Sequence, residues 1–214
     1  MRKTRPKSYE YIEKLLPKES DLMLCARENS EKIGLGVISL SATEASIIEF
    51  YLKSIHAKKV VEVGTLTGLS ALYILRALPK DGYLWTLEKS DEHVKLAREV
   101  LKDERCTVVV GDAEVKLKEL VASGPFDAIF IDGNKAAYLD YFDWAVENVN
   151  NGGLIFVDNI FLAGAVWGDQ TLQRFNEKQV RVVQTMNEKA FSTDNLISVV
   201  IPTEEGLLIC KKQS

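Results

Sequence analysis

The sequence predicts a single α/β domain with a mostly parallel sheet. Apolar runs rich in β-branched residues alternate with amphipathic runs of helical period along most of the chain, which is the pattern of consecutive βαβ units. The chain has 214 residues, of which 46% are hydrophobic and 27% are charged, so it can bury one large core. A short link between the last two apolar runs predicts an antiparallel hairpin at one edge of the sheet.

Seven strands are predicted from apolar runs bounded by glycine, proline or polar residues. In chain order they are KKVVEV (58–63), GYLWTLE (82–88), CTVVV (106–110), FDAIFI (126–131), GLIFV (153–157), LISVVI (196–201) and GLLIC (206–210). Each of the first five is followed by a helical run, which predicts parallel pairing. The last two are joined only by PTEE (202–205), and this short link predicts the hairpin.

Helices are predicted where apolar residues recur about every 3.6 positions. These runs are LSALYILRAL (69–78), EHVKLAREVL (92–101), AEVKLKELVA (113–122), the stretch 136–149 and a longer stretch from about 169 to 187. The first forty residues are also expected to be helical and peripheral. We therefore divide the chain into an N-terminal helical extension, 1–40, packed on a domain formed by 41–214.

Charge and composition exclude several classes of partner. A formal net charge of −4 argues against general affinity for nucleic acid or for anionic membranes, because both select basic surfaces. No apolar run approaches the roughly 18 residues of a membrane span, and the N-terminus lacks the apolar stretch of a signal peptide, so we expect a cytoplasmic protein. The basic start, Arg2, Lys3, Arg5 and Lys7, is expected to be a solvated tail, with contact to an acidic ligand or partner as the alternative.

Cysteine and histidine catalysis is not expected. Cys25, Cys106 and Cys210 are odd in number and far apart, so they suggest neither a disulfide framework nor a zinc site. His56 and His93 are the two histidines, and both are expected to lie away from the ends of the apolar strands. Ser-His-Asp and Cys-His mechanisms are therefore disfavoured.

Two predicted strands end in acids that can meet on one cation. FDAIFI is followed by Asp132, and GLIFV is followed by Asp158 and Asn159. Side chains at the carboxyl ends of neighbouring parallel strands converge where open α/β sheets bind ligands, and such oxygen atoms suit Mg²⁺, Mn²⁺ or Ca²⁺. One acid alone would more often cap the next helix. Two acids with an amide favour a metal site.

The turn after the first strand indicates a nucleotide-like ligand. Gly64 and Gly68 allow a sharp turn and a close backbone approach, and Glu62 precedes them on the strand. A dinucleotide fingerprint would have a glycine where Leu66 stands, so NAD and FAD are disfavoured. Glu88, at the end of the second strand, is placed to accept hydrogen bonds from ribose hydroxyls, with a plain surface acid as the alternative.

Taken together, these motifs resemble the cation-dependent O-methyltransferases, which include catechol and caffeoyl-CoA O-methyltransferases and small bacterial relatives. The matching segments are VVEVGTLTGLS (60–70), LE (87–88), GDA (111–113), IDGNKAAY (131–138) and GGLIFVDN (152–159). The resemblance runs from about residue 36 to residue 212, and its most specific element is D-x-x-K followed by the D-N pair. It implies a Rossmann-like fold with a seven-stranded, mostly parallel sheet, an antiparallel terminal strand and helices on both faces.

The resemblance also implies roles for the matching residues and a homodimer. Lys135 would be the general base beside Asp132, and Tyr138 follows at the place the family pattern expects. A divalent cation, Mg²⁺ first and Mn²⁺ or Ca²⁺ as alternatives, would be held by Asp132, Asp158 and Asn159. S-adenosylmethionine would be held by residues at the strand ends and the turns after them, namely Glu62, Gly64, Thr65, Gly68, Ser70, Glu88, Asp112, Ala113 and Asp132.

These expectations describe an enzyme that methylates a hydroxyl of a catechol-like aromatic diol. A free phenol has a pKa near 10 and is a poor nucleophile at neutral pH, so the chemistry requires groups that favour the phenolate and fix its position. Two alternatives stay open. An NAD-dependent oxidoreductase is supported by Glu88 and opposed by Leu66, and a protein that binds S-adenosylmethionine without turnover is opposed by the intact D-x-x-K and D-N motifs.

Aromatic residues near these motifs have two interpretations each. Phe161 and Trp167, in the segment after Asn159, are candidates to stack on an aromatic acceptor, with ordinary packing as the alternative. Tyr141 and Trp144 lie in a predicted helix and are expected to belong to the core or to an interface.

Overall fold

The computed structural model describes residues 7–169 and 174–214. Within these ranges the strands are β1 (Lys59–Val63), β2 (Tyr83–Glu88), β3 (Cys106–Val110), β4 (Phe126–Ile131), β5 (Val149–Val157), β6 (Leu196–Ile201) and β7 (Leu207–Lys212). The α-helices are α1 (Lys7–Leu15), α2 (Asp21–Lys32), α3 (Ala42–Ser54), α4 (Leu69–Ala77), α5 (Asp91–Val100), α6 (Ala113–Leu120), α7 (Tyr138–Asn148) and α8 (Glu177–Ser192). Short 3₁₀ turns span Gly36–Ile38, Val121–Ser123, Lys135–Ala137 and Leu162–Trp167.

The strands form one seven-stranded sheet in the order β3-β2-β1-β4-β5-β7-β6. The first five strands pair in parallel, whereas β7 runs antiparallel to both β5 and β6. The predicted fold class is therefore confirmed, including the terminal hairpin at one edge. The chain order reverses between β1 and β4, which is the kind of position where open α/β sheets bind ligands.

Two apolar cores cover the two faces of the sheet. The first packs α2, α3, α4 and α5 on side chains such as Val60, Leu84 and Phe130. The second packs α6, α7 and α8 on side chains such as Val61, Ile129 and Ile155. Successive residues of β1 and β4 thus point into opposite cores, as the period of two in a strand requires. Burial on both faces explains why these strands are continuously apolar in sequence.

From Lys7 onward the N-terminal segment forms the helices α1 and α2, as expected, but α2 is more than a peripheral element. Its Met23 and Ala26 are buried in the first core, and the Ala26 carbonyl accepts a hydrogen bond of 2.8 Å from Thr67 Oγ1 in the turn after β1. The sequence patterns did not predict α3. Its start is fixed by a capping box, in which Ser41 and Glu44 each accept a hydrogen bond from the other's backbone N–H.

The predicted helix over 169–187 has wrong limits. Residues 170–173 lie outside the described ranges, and α8 begins at Glu177 because Asn176 and Gln179 form a capping box. The helix continues five residues beyond Asn187, to Ser192. The helix predicted from residue 136 begins as the 3₁₀ turn at Lys135–Ala137 and becomes α-helical at Tyr138.

The remaining expectations concern the surface. Among the described residues, no helix is long and apolar enough to cross a bilayer. Cys25, Cys106 and Cys210 are free cysteines, and Cys106 begins β3 as expected. Most of the basic start lies outside the described residues, and Lys7 is the first residue of α1.

Candidate active site

A cavity of about 380 Å³ opens at the carboxyl ends of the central strands. Its floor is built from residues that follow β1, β2, β4 and β5, and its rim comes from the segment before α3, the segment before α8 and the β6–β7 loop. The lining includes Ile38, Ser39, Leu40, Gly64, Thr65, Leu66, Thr67, Ser70, Glu88, Lys89, His93, Gly111, Ala113, Asp132, Lys135, Tyr141, Asp158, Asn159, Arg174, Phe175 and Glu205. Most of the residues predicted for a site thus meet in one place.

Parallel register brings the predicted acids together. The Asp132 N–H donates to the Val63 carbonyl at 2.9 Å, and the Asp158 N–H donates to the Ile131 carbonyl at 3.0 Å. These bonds continue the ladders between β1, β4 and β5 by one residue, so Gly64, Asp132 and Asp158 stand side by side at the ends of three adjacent strands. The expectation that the two acids lie on neighbouring strands is confirmed by this pairing.

The turn after β1 leaves the sheet sharply. Gly64 and Gly68 have φ values of +99° and +91°, which glycine adopts without strain. Leu66 also has a positive φ, +50°, which is uncommon for a residue with a branched side chain. Its N–H donates to Glu88 Oε2 at 3.0 Å. A hydrogen bond from the neighbouring strand end thus holds the turn in this conformation.

Glu88 contacts several groups at the β2 end of the cavity. Its Oε1 accepts hydrogen bonds of 2.9 Å from the N–H groups of Lys89 and Ser90, and His93 Nδ1 lies 3.5 Å from Oε2. With the Leu66 N–H included, three backbone N–H groups donate to this carboxylate, which leaves about one of its four acceptor sites for a further donor. The expectation that His93 lies away from the strand ends is wrong, because the first turn of α5 brings it back to Glu88.

Three of the residues predicted for the cofactor are not among those that line the cavity. Glu62 is fully buried and accepts a 2.5 Å hydrogen bond from Thr86 Oγ1, and that hydroxyl group also contacts Thr65 Oγ1. Burial raises the pKa of Glu62 to about 8, although the hydroxyls of Ser70 and Thr86 partly oppose this shift. Glu62 is therefore placed to support the wall through Thr65 and Ser70, both of which line the cavity.

Gly68, which is buried, and Asp112, which is exposed, are the other two residues outside the lining. Gly68 is the N-cap of α4, and the Asp112 side chain caps α6 by accepting from the Glu114 N–H. Neither is among the residues that line the cavity, whereas Gly111 and Ala113 on either side of Asp112 are. Their proposed roles in cofactor binding stay predictions.

Asp132, Lys135 and Tyr138 form a connected group. Lys135 Nζ donates to Asp132 Oδ1 at 2.9 Å and contacts the Tyr138 hydroxyl, which in turn donates to the Asp158 carbonyl at 3.1 Å. The Lys135 side chain is 11% exposed and that of Asp132 is 31% exposed. Burial raises the pKa of Tyr138, and the charges of Asp132 and Asp158 raise it further. The tyrosine therefore stays protonated and fixes the amine of Lys135 near both acids.

Asp158 and Asn159 carry oxygen atoms without partners. Asp158 Oδ1 and Asn159 Oδ1 are buried and accept no hydrogen bond from the described residues. The backbone of Asn159 has a φ of +58°. Residues at functional sites often adopt this strained, left-handed conformation. Burial raises the pKa of Asp158, and the charges of Asp132 and Glu44 add to the effect.

These observations fit a small hard cation. Orphaned oxygen atoms beside two repelling carboxylates would gain most from a divalent ion, which would neutralise the excess negative charge. No cluster of three or more His, Cys, Asp or Glu residues suited to a metal occurs within 7–169 and 174–214. The candidate set consists of two acids and an amide, so any further ligands would come from water or the acceptor.

Some residues that line the cavity were not predicted from the sequence, and some residues that were predicted to contact the acceptor do not line it. Tyr141 was expected in the core or an interface, and although it is 4% exposed, it also lines the cavity. Arg174 and Glu205 come from loops that carry no recognisable motif. Phe161 and Trp167 contact one another with ring centroids 5.3 Å apart and are not among the lining residues. Their role in stacking on an acceptor stays a prediction.

Comparison with known proteins identifies the family to which this geometry belongs. The family model described as O-methyltransferase matches residues 15–213. The chain belongs to the O-methyltransferase family. This confirms the resemblance inferred from the motifs, and it identifies the protein as an O-methyltransferase rather than an NAD-dependent oxidoreductase.

Individual relatives agree with this assignment. A catechol O-methyltransferase from Niastella koreensis is 36% identical over 169 residues, which cover 76% of each chain. A caffeoyl-CoA O-methyltransferase from Medicago sativa is 30% identical over 217 residues, covering 95% of this chain and 87% of the relative. Among solved structures, the O-methyltransferase TomG from Streptomyces achromogenes, in complex with SAM, superposes with a TM-score of 0.86 at 25% identity. The superposition covers 97% of this chain and 96% of TomG.

Proposed function

We propose that this O-methyltransferase transfers a methyl group from S-adenosylmethionine to one hydroxyl of a catechol-like aromatic diol, with a divalent cation at Asp132, Asp158 and Asn159. One observation carries the proposal. The amine of Lys135, the two acids and the amide meet at one end of the same cavity that Glu88 lines at the other. The relatives that act on catechol and caffeoyl-CoA, and the structure of TomG with SAM, support the same conclusion.

The cavity can accept the cofactor at its β1–β2 end. A volume of about 380 Å³ is within the range of ligand sites in proteins. Glu88 has about one acceptor site left for a ribose hydroxyl, and Gly64 and Thr65 line the cavity together with Glu88 and Asp132. S-adenosylmethionine supplies a methyl group on a positively charged sulfur, and the acids along this wall favour that charge.

The acids and the amide can hold the cation at the β4–β5 end. The orphaned oxygen atoms of Asp158 and Asn159 are the observation that favours it. A divalent cation, with Mg²⁺ the first expectation, supplies a positive charge that lowers the pKa of a nearby phenol and fixes a vicinal diol in place.

Lys135, in its neutral amine form, would accept the phenolic proton, so that the phenol becomes a phenolate and the amine becomes an ammonium group. Its Nζ has three neighbours that hold it in the cavity, namely Asp132 Oδ1, the Tyr138 hydroxyl and the face of the Tyr138 ring, whose centroid is 4.4 Å away. The carboxylate of Asp132 stabilises the ammonium form after the proton has moved to Lys135. Methyl transfer then depends mainly on alignment of the two reactants, which the rigid strand ends supply.

Product analysis by mass spectrometry tests this proposal. Purified protein is incubated with S-adenosylmethionine and catechol, with and without chelator, and with guaiacol and phenol as acceptors that lack the free vicinal diol. We expect monomethylated catechol only when a divalent cation is present, and no product from guaiacol or phenol. Equal turnover of phenol would refute the diol as substrate, and full turnover in metal-free protein would refute the cation. The homodimer implied by the family stays a proposal, which light scattering would test.

A further inference from the structure

Charged side chains are distributed unevenly around the cavity. Those that line it are Glu88, Lys89, His93, Asp132, Lys135, Asp158, Arg174 and Glu205. The acids at the β4–β5 end make that region negative, because Asp132, Asp158 and the buried Glu205 all face it. These acids would repel a negatively charged substituent of the acceptor unless a basic side chain paired with that substituent.

Two of the four basic groups that line the cavity already have an acidic neighbour. Lys135 pairs with Asp132 at 2.9 Å, and His93 lies 3.5 Å from Glu88. Among the described residues, Lys89 has no carboxylate partner, but it follows Glu88 at the end of β2, two strands away from β4 in the sheet order. It therefore belongs to the end of the cavity that we assign to the cofactor.

Arg174 is the basic group without an acidic partner near the acceptor end. Within 7–169 and 174–214, no carboxylate lies within ion-pair distance of its guanidinium, whose recorded contact is with the Phe175 ring, at 5.6 Å from the centroid. Arg174 stands three residues before α8, and α8 packs against both the 3₁₀ turn that carries Lys135 and the turn at Leu162–Trp167. The side chain is exposed and lies at the rim of the cavity.

An exposed arginine with free donors suits an anionic group on a ligand. Its planar guanidinium can bind a carboxylate or a phosphate through two parallel hydrogen bonds, and the ring of Phe175 beside it can cover the aromatic part of the same ligand. The rim position leaves the diol end of the acceptor free to reach Lys135 and the acids.

We propose that Arg174 selects the acceptor, so that the preferred substrates are aromatic diols bearing an anionic substituent on the side of the ring away from the diol. This inference rests on the proposed function, since it concerns the acceptor of the same site. It narrows the substrate class from catechols in general to anionic catechols, with a carboxylate or a phosphate as the charged group.

Paired acceptors that differ only in charge test the inference. The acids are 3,4-dihydroxybenzoate, 3,4-dihydroxyphenylacetate and 3,4-dihydroxycinnamate, and each is compared with its uncharged methyl ester; 3,4-dihydroxybenzyl phosphate provides the phosphate arm. We expect wild-type kcat/KM to favour at least one anion over its neutral partner, and Arg174→Gln to reduce that preference by about tenfold, the scale of one charge-assisted contact at a partly exposed site. Added salt should weaken the preference in wild type, because the contact is partly exposed.

Two further variants separate this role from a structural one. Arg174→Lys keeps the charge and should restore part of the preference. The control is Arg181→Gln, in the first turns of α8, which removes a side chain that is 78% exposed and pairs with Glu177. It should leave the preference for the anion as in wild type. An unchanged anion-to-ester ratio in Arg174→Gln, with both acceptors methylated, would overturn the inference but not the proposed function. If no diol in the series is methylated, both fail.

Discussion

Gly64 and Asp132 approach so closely that no side chain fits at residue 64. A Cβ atom there would lie 2.2 Å from the Asp132 carbonyl oxygen, well inside the contact distance of carbon and oxygen. The glycine therefore does more than permit the positive φ of the turn. It lets the ends of β1 and β4 meet, which places the turn that lines the cavity against the strand end that carries a predicted metal ligand.

Gly64→Ala should uncouple these two strand ends. We expect it to weaken the binding of S-adenosylmethionine and of Mg²⁺ together, each by more than tenfold, because the clash is with backbone and must shift β1 or β4. Calorimetric titration with each ligand measures the effect. Gly152→Ala is the matched control, since Gly152 has φ +81° with nothing within 4 Å of its would-be Cβ. Loss of Mg²⁺ affinity without loss of cofactor affinity would contradict the coupling.

Glu62 should make the fold less stable as pH rises. Its pKa is about 8 in the folded protein against an ordinary value of 4.5, so the folded state keeps a proton that the unfolded chain has already released. The stability from this group is full below about pH 4.5 and is lost as pH rises toward 8, a change on the order of a few kcal/mol.

Urea unfolding of wild type and Glu62→Gln, at about pH 5.5 and about pH 9, isolates this contribution. The glutamine can still accept the hydrogen bond from Thr86, and it stays neutral at both values. We expect the variant to lose less stability than wild type between the two conditions. Glu92→Gln, which removes an exposed acid of α5, should behave as wild type. Equal pH dependence in the Glu62 variant and wild type would mean that Glu62 is ionised in the folded protein at neutral pH.

The sequence predicted those site residues whose positions follow from the order of the strands and from short-range spacing. Asp132, Asp158 and Glu88 follow continuous apolar strands, and a parallel sheet leaves little freedom in where such residues lie. The D-x-x-K spacing likewise keeps Lys135 close to Asp132 in the chain, and the turn that begins at Lys135 brings its Nζ to 2.9 Å from Asp132 Oδ1. These positions depend on local pattern and on strand order, both of which the sequence carries.

The rest of the site depends on tertiary packing. His93 was expected away from the strand ends, yet α5 folds back along β2 and brings it to Glu88. Arg174 and Glu205 line the cavity because residues 174 and 175, just before α8, and the β6–β7 loop border it, and loop conformation leaves little trace in hydrophobic periodicity. The limits of α8 were missed for a different reason. The Asn176–Gln179 capping box is visible in the sequence, but apolar residues upstream of it extended the predicted helix.

Asp158→Asn should stabilise the protein in chelator and abolish its response to Mg²⁺. The carboxylate is 4% exposed and is repelled by Asp132 and Glu44, so a neutral amide of the same shape relieves that repulsion. In wild type, bound cation should raise the melting temperature according to its concentration and affinity. Thermal melts with EDTA and with Mg²⁺ measure both effects.

The control is Asp194→Asn, which removes an exposed acid of the link between α8 and β6. It should respond to Mg²⁺ as wild type does. A Mg²⁺-dependent rise that persists in Asp158→Asn would place the cation elsewhere, and a lower melting temperature of this variant in EDTA would show that the carboxylate stabilises the metal-free fold.

Variants of Lys135 distinguish a role in proton transfer from a purely electrostatic role. If its amine accepts the phenolic proton, Lys135→Met should lower kcat by about 10²–10⁴-fold while leaving cofactor affinity nearly unchanged, because proton removal contributes in the transition state. Lys189→Met, which removes an amine that pairs with Asp143 on the surface, is the control for loss of a lysine. It should keep the wild-type rate.

Lys135→Arg should fail to restore the rate at neutral pH. Arginine can keep the contact with Asp132, which Lys135 makes at 2.9 Å, but its pKa exceeds about 12, so it cannot act as a neutral acceptor. Activity of both variants should recover partly as pH rises toward the phenol pKa near 10, where more of the acceptor ionises without a base. A pH profile of kcat for wild type and both variants measures this. A wild-type rate in the arginine variant near pH 7 would assign Lys135 to electrostatic stabilisation, and the proton acceptor would then have to be sought among the other residues that face the acceptor end of the cavity.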